Sequence, residues 1–366
     1  MSEPAIAELV PVDFADLEGW AADDHRAAFA AFRLSAARIV DKPPKTKPLG
    51  PEGTHLVAAA KAALLAGETL TAADARVFFE THFQPHRVIP AEGSGFVTAY
   101  FEPEVDGALE ASAAFPVPLY GRPADLVELG PDDDRSGLDP VLTWARRLPD
   151  GGIAEYPDRG AIMDGAIAGS VPVLAYVANW VEALFIHVQG SARIRVSGGG
   201  VRRLTFTAKS GHPYFPVARV MVERGLCKPA EATADVMKAW LLGLSPDEAR
   251  AVIGRNRSFI FFREALVPDP ALGPIAAADV PLSPGRSLAV DRHLVTFHVP
   301  IFVEADIDAP VGAFRRLMIA QDTGSAILGP ARGDIFFGTG EAAWHLAARV
   351  RHPARFTQLV PREPKS

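Results

Sequence analysis

Past residue 95 the chain ceases to read as helix. The stretches "FVTAYFEPEVDG", "FPVPLYGRP", "SVPVLAYVANWVEALFIHVQGSARIRV" and "RRLTFTAK" are β-branched and aromatic runs cut by Gly or Pro. Runs of this kind predict short strands joined by turns, since Pro cannot donate into a ladder and Gly supplies the turn dihedrals. The 32 prolines and 31 glycines are spread along 366 residues rather than gathered in one tract. They therefore punctuate a β-rich core and do not mark a disordered linker. "RIRVSGGGVRRLTF" predicts a hairpin, with Ile194 and Val196 alternating on one side of a triple-Gly turn and Leu204 and Phe206 on the other.

The first ninety residues read differently. In "HRAAFAAFRLSAARIV" apolar positions recur every three or four residues after Asp23 and Asp24, which predicts a capped amphipathic helix. "HLVAAAKAALLAG" is Ala- and Leu-rich up to Gly67, and "TAADARVFFETHF" opens on a Thr cap and an acidic first turn. Helical character returns in "EATADVMKAWLLGL" and "SPDEARAVIG", strand-like texture resumes at "SFIFF", and "GEAAWHLAARVRH" predicts one late helix. The fold class that follows is mainly β with N-terminal helices: a β block, a helical spacer and a second β block.

The bulk numbers exclude several roles. A net charge of −7 and a pI near 5.8 argue against a nucleic-acid partner, which needs a basic surface. Arg193, Arg195, Arg202 and Arg203 read as the solvated face of a hairpin. The single Cys227 cannot form an intrachain disulfide and reads as a buried structural thiol. No apolar run reaches the ~18 residues of a membrane span. The start, "MSEPAIAELVPVDF", shows neither a basic n-region nor an apolar h-region, nor a lipid-accepting Cys. That reading fits a cytoplasmic chain or a mature exported one equally.

Chemistry concentrates in "AQDTGSAILGPARGDIFFGTG", residues 320 to 340. Asp322-Thr323-Gly324 has the letters of an aspartic protease loop, but that dyad needs a second equivalent loop about 3 Å away, and no second Asp-Thr/Ser-Gly exists. His82 and His86 have helical spacing, yet Pro85 lies between them and no Glu does, unlike a zinc-protease helix. No metal ligand set and no cofactor motif is read. "SGGG" lacks the Lys and helix of a phosphate loop, and Gly-x-Ser-x-Gly is absent. What remains is a carboxylate presented by strands to a polar substrate. Asp334, among Gly333, Ile335, Phe336 and Phe337, suits an acid whose pKa is raised by apolar surroundings. The residues by themselves leave open whether Asp334 instead caps a turn after Gly333.

The block running from "PLSPGRSLAVDRHLVTFHVPIFV" to "AQDTGSAILGPARGDIFFGTGEAAWHLAARVRHPARFTQLVP" strongly resembles the three-aspartate domain of the MltA-type membrane-bound lytic murein transglycosylases. The family's three aspartates match Asp291, Asp322 and Asp334. Upstream, "TAYFEPEVDG" is similar to the family's Thr-Gly-Tyr-Tyr-Glu-Pro segment, with Ala99 for Gly and Phe101 for the second Tyr. "FPVPLYGRP", "ALFIHVQGSARIRV", "SGHPYFPVARVMVERG" and "NRSFIFFRE" follow in family order, so the resemblance covers residues 93 to 362. Other departures are Ser325 after Asp-Thr-Gly, Lys209-Ser210-Gly211 where many members carry Gly-Asn-Gly, and Ala348 and Ala354 in place of Gly.

The resemblance implies two β-barrel domains flanking a groove. One is a double-psi barrel, residues 1–103 with 259–366, and the other an inserted barrel, residues 104–258. It implies non-hydrolytic cleavage of the β-1,4 bond between N-acetylmuramic acid and N-acetylglucosamine in peptidoglycan, leaving a 1,6-anhydro ring, with no cofactor. Asp334 would be the catalytic acid and then base, and Asp322 and Asp291 its companions. Thr98, Tyr100, Glu102, Gln189, Ser191 and Thr323 would contact the glycan, whose N-acetyl sugars offer donors, acceptors and flat apolar faces. Peptidoglycan strands are the implied partner, alongside other cell-wall proteins, in the periplasm and often at the outer membrane. A scaffold protein of the same fold and a β-glucan hydrolase are the alternatives.

Overall fold

The computed structural model describes residues 6–362 apart from 69, 131, 132, 134, 136 and 230. The chain forms two compact units, residues 1–101 with 267–366 and residues 102–266. In chain order it begins with β1 (Ala7–Pro11), three helices α1 (His25–Asp41), α2 (Leu56–Leu65) and α3 (Ala72–His82), then β2 (Phe83–Pro90) and β3 (Phe96–Glu102). The second unit carries β4 (Glu104–Gly107), β5 (Val117–Tyr120), β6 (Leu126–Glu128), β7 (Trp144–Arg147), β8 (Ile153–Ala154), α4 (Arg159–Met163), β9 (Val173–Val177), α5 (Trp180–Gln189), β10 (Ser191–Val196), β11 (Val201–Lys209), α6 (Ala218–Glu223), α7 (Ala234–Gly243), α8 (Pro246–Gly254) and β12 (Ile260–Glu264). The chain then returns to the first unit with β13 (Ser287–Val290), β14 (Pro300–Ile307), β15 (Gly312–Asp322), β16 (Arg332–Thr339), α9 (Gly340–Ala347) and β17 (Arg351–Pro361).

The first unit is built on a closed barrel. Its sheet runs β1-β2-β17-β14-β15-β13-β16-β3, and β3 also pairs with β17, so six strands close on themselves while β1 and β2 extend the wall. All the pairings with a resolved register are antiparallel except β13 with β15. Asp24 caps α1 by accepting from Ala27 N at 3.2 Å, and Thr71 caps α3 by accepting from Asp74 N at 3.1 Å. Phe29 and Phe32 of α1, Phe79 of α3 and Phe83 at the start of β2 pack as an aromatic stripe into the same apolar core as Phe302, Leu317 and Phe356 of the barrel. Each such ring contributes about 1.5–3 kcal/mol by leaving water.

Two buried polar devices lock α1 and the turn just before it to the barrel. Arg286, just before β13, grips Asp23 through both guanidinium nitrogens at 2.9 and 2.8 Å, and Asp23 also accepts from Leu317 N at 2.7 Å. Gln321 donates to Ala31 O at 3.0 Å and Ser35 Oγ at 2.9 Å. The end of β15 is thereby anchored to a helix.

In the second unit the sheets β12-β11-β10-β4 and β5-β9 are joined by two bridges, Gly121 with Phe262 and Ala108 with Tyr176. The bridges make a second closed ring of six strands, beside the three-stranded sheet β6-β7-β8. The hairpin expected across the triple-Gly turn is present as β10 and β11, with Ile194 opposite Arg202 and Ala192 opposite Leu204.

Four sequence expectations need correction. The first ninety residues are not all helical, because β1 and β2 pair with each other and β2 with β17. The run "SVPVLAYVANWVEALFIHVQG" is not continuous strand. Asn179 caps the start of α5 by accepting from Glu182 N at 2.9 Å, and Glu182 accepts from the N–H of Ala178, the residue before the cap, at 3.2 Å. The hairpin arginines divide: Arg195 and Arg202 are exposed, whereas Arg193 and Arg203 are tucked against buried Glu102. Cys227 is half-buried rather than buried.

Candidate active site

The three aspartates of the sequence pattern all lie in the first unit, and strand register explains how. Central strand β13 is flanked by β15 and β16. Ala289 is paired with Asp334 on one side and Asp322 on the other. The second pairing depends on a bulge: Leu288 faces Ala320 and Ala289 faces Asp322, so Gln321 is the extra residue on β15. A bulge re-aims the side chains beyond it. Gln321 turns inward to α1, and Asp322 comes into line with Asp334 across Ala289. The two aspartate backbones are therefore two strand spacings apart, roughly 10 Å.

Alternation along β16 sorts the remaining contacts. Gly333 and Ile335 face the barrel core, where a Cβ on Gly333 would sit 2.7 Å from Phe356. Arg332, Asp334 and Phe336 lie on the opposite face. There Phe336 forms an apolar cluster with Tyr100, Leu282 and Ala289, its ring centroid 5.3 Å from that of Tyr100. Thr98 and Tyr100, two apart on β3, reach this same face.

Each carboxylate is used differently. Asp291 is buried, and its two oxygens accept from His293 N at 2.9 Å and Gly329 N at 2.8 Å, tying the loop after β13 to the loop between β15 and β16. Asp322 accepts from Tyr100 Oη at 2.7 Å on one oxygen and from Ala277 N at 3.3 Å on the other. Asp334 accepts from the Thr98 hydroxyl on Oδ1. Among the described residues nothing donates to its Oδ2, and the side chain is half-buried. Of the three, only Asp334 has an oxygen with no hydrogen-bond donor among the described residues.

Electrostatics single out the same group. Burial among the apolar residues of the cluster raises the Asp334 pKa to about 6, against the opposing effects of the Thr98 hydrogen bond and the Arg332 charge, with Asp322 adding a smaller upward push. Burial also raises Asp322, while the hydrogen bonds from Tyr100 and the backbone of Thr323 and Ala277 favour its ionised form. Tyr100 is pushed well above its ordinary value, first by burial and then by Asp322, so it remains a donor. An acid near 6 is protonated often enough at neutral pH to donate, and its conjugate base is strong enough to accept.

The other six residues named from the sequence separate. Thr98 and Tyr100 spend their hydroxyls on Asp334 and Asp322, so they hold those two carboxylates in place. Thr323 donates to Val290 O at 2.8 Å and clips the β15 loop to β13. Glu102, Gln189 and Ser191 belong to the second unit. Glu102 is fully buried, held by Arg193 Nε at 2.9 Å and by Arg203 Nε at 2.9 Å. Ser191 is buried at the start of β10, opposite Thr205, and Gln189 ends α5. Sequence reasoning overlooked Arg332, which donates to Thr98 Oγ1 at 2.7 Å. Its signal was period-two spacing, since Arg332, Asp334 and Phe336 share a strand face. No group of three or more His, Cys, Asp or Glu among the described residues could hold a metal ion.

Comparison with known proteins fits this geometry. The MltA specific insert domain matches residues 96–263, and the 3D domain matches residues 286–360, a span that contains all three aspartates. A crystal structure of a membrane-bound lytic murein transglycosylase from Agrobacterium tumefaciens is 40% identical, covering 97% of this chain and 98% of that one, with a TM-score of 0.86. The chain belongs to the MltA family. A second member, MltA from Neisseria gonorrhoeae in its monoclinic form, is 29% identical over 100% of this chain and 95% of its own, with a TM-score of 0.82. Membrane-bound lytic murein transglycosylase A of Vibrio cholerae is 25% identical over 275 residues, and the match spans 73% of this chain and 66% of that relative. In this MltA-family chain the departures Ala99 and Ala354 lie on barrel strands, and Ser325 is exposed in the loop after Asp322.

Proposed function

We propose that this chain is a lytic transglycosylase that cleaves the β-1,4 bond between N-acetylmuramic acid and N-acetylglucosamine, with Asp334 as acid and then base. The observation that carries the reading is that the Asp334 pKa is raised to about 6 and its Oδ2 receives no donor among the described residues, whereas every oxygen of Asp291 and Asp322 accepts a hydrogen bond. Ordinary glycosidases need two working carboxyls, one for the leaving group and one as nucleophile or base. Here only one has that freedom. A single group suffices when the nucleophile belongs to the substrate.

The atoms balance without water. The proton on Asp334 moves to the departing glycosidic oxygen as the bond from muramyl C1 to that oxygen breaks. The muramyl C6 hydroxyl attacks C1, forming the C1–O6 bond, and its proton goes to the Asp334 carboxylate. The enzyme returns to its starting state, and the product is one water lighter than that of hydrolysis. Intramolecular attack needs no second bound reactant, which lowers the entropic cost of the step. Burial pushes the Asp322 pKa up and its three hydrogen bonds oppose that push; in its ionised form Asp322 supports positive charge developing at the sugar ring.

The names of the relatives place them at membranes, and we infer a cell-envelope, periplasmic site of action. No helix among the described residues is long and apolar enough to cross a membrane. The test is digestion of purified murein sacculi, with products weighed by mass spectrometry. Anhydro-muropeptides from the wild type and almost none from Asp334→Asn, with glycan binding retained, support the reading. Wild-type turnover in Asp334→Asn overturns the assignment, and sacculi that co-sediment intact with the wild type point to a binding protein.

A further inference from the structure

We infer that Arg332 is a positioning residue for the acid: by donating into Thr98 Oγ1 it commits the Thr98 proton to Asp334 Oδ1 and so assigns the transferable proton to Oδ2. The inference rests on Asp334 being the acid of the proposed reaction. It concerns which oxygen works and what keeps it so.

A threonine hydroxyl has one proton and can rotate to suit its neighbours. Left alone, Thr98 could donate to Asp334 when the carboxyl is ionised and accept from it when it is protonated. The second arrangement would trap the acid's proton between two side chains, away from substrate. Arg332 Nη2 stands 2.7 Å from Thr98 Oγ1 and can only donate. Its hydrogen bond occupies an acceptor site on that oxygen, and the hydroxyl proton is directed to Asp334 Oδ1. An Oδ1 that already accepts a hydrogen bond is the poorer place for the acidic proton, which leaves Oδ2.

Arg332 is itself fixed at three points. Nη1 donates to Gly333 O, Nη2 donates to Thr98, and the guanidinium carbon lies 5.6 Å from the centre of the Phe96 ring. Two of these partners sit on β3 and one on β16, so the cation bridges the two strands that carry the acid and its donor. A planar fork suits this task and an ammonium does not.

The charged and titratable groups facing Asp334 are few. Arg332 lies on its own strand, Tyr100 on β3 and Asp322 at the end of β15, while β13 contributes Ala289, which carries no charge. Of these only Arg332 is cationic, and it draws the acid's pKa down against the burial that raises it. Removing it therefore moves the pKa up.

The experiment compares wild type, Arg332→Gln, Arg332→Lys, Thr98→Val and the double variant Arg332→Gln/Thr98→Val. Two readouts are taken: carboxyl titration by NMR on Asp-labelled protein, and the pH profile of anhydro-muropeptide release. Arg332→Gln is expected to raise the Asp334 midpoint and the alkaline limb together. It should lower kcat about ten- to a hundredfold, as loss of alignment does, with KM within about twofold and the melting curve still cooperative. Arg332→Lys should restore the midpoint but not kcat. The double variant should be no slower than Thr98→Val, because the arginine works through that hydroxyl. An unmoved midpoint in Arg332→Gln, or losses that multiply in the double variant, overturns the inference. If the wild type releases no anhydro product, the proposed reaction fails, while the titration still decides what Arg332 does to Asp334.

Discussion

Replacing Asp334 by Asn should stabilise the protein at neutral pH while abolishing its activity. Burial lifts the Asp334 pKa from 3.8 to about 6, a shift of about two units, and each unit is worth about 1.36 kcal/mol of preference for the neutral form. The upper figure is therefore about 3 kcal/mol of strain in the folded state when the carboxyl is ionised. The half-open side chain is screened on its Oδ2 side, and the amide forgoes attraction to Arg332, so about 1–2 kcal/mol is expected at pH 7. The sign follows from the direction of the shift. Below about pH 4 the carboxyl is protonated in both folded and unfolded chains, and its contribution is fully favourable. As pH rises toward about 6 the unfolded chain releases the proton first, so wild type loses stability through this window and levels off above it. Asn cannot titrate, and the difference between the two proteins should open across the same window. Urea unfolding followed by circular dichroism from pH 4 to pH 8 measures it. Parallel curves, or a variant less stable than wild type at pH 7, would refute a buried acid held against its own ionisation.

Tyr100→Phe removes the 2.7 Å bond to Asp322 and should cost about 1–2 kcal/mol in urea unfolding, with a tenfold or larger fall in kcat and unchanged glycan binding. Arg286→Met leaves Asp23 buried and uncompensated, so a loss of about 3–5 kcal/mol is expected, read from the denaturation midpoint. Asp291→Asn places an amide donor against one of two backbone donors, His293 N or Gly329 N; hydrogen exchange at the Gly329 amide should speed up by at least tenfold, and unchanged protection would contradict the clamp.

The fold class was legible because its signals are local. Helices α1 and α3 announce themselves through caps at Asp24 and Thr71, and β10 and β11 through the triple glycine between them. What stayed hidden depends on partners far along the chain. β2 is short of apolar alternation and becomes a strand because β17 offers it a ladder 270 residues away, with Arg87 opposite Thr357. The Asn179 cap, with Glu182 three residues on, was present in the letters but was outweighed by the β-branched residues around it. The site shows the same division. The aspartates stand out through a family pattern, but nothing in the letters shows that a bulge at Gln321 brings Asp322 level with Asp334. Nor do they show that Glu102 is consumed by Arg193 and Arg203, or that Tyr100 turns its hydroxyl to Asp322. Such assignments come from register, which one-dimensional spacing does not contain.

The most direct test of a single carboxyl serving a substrate-borne nucleophile is digestion of sacculi in water enriched in oxygen-18. Released muramic ends should carry no heavy oxygen and should weigh as 1,6-anhydro species. Reducing ends carrying one oxygen-18 atom would show that water attacked C1, and would contradict the account.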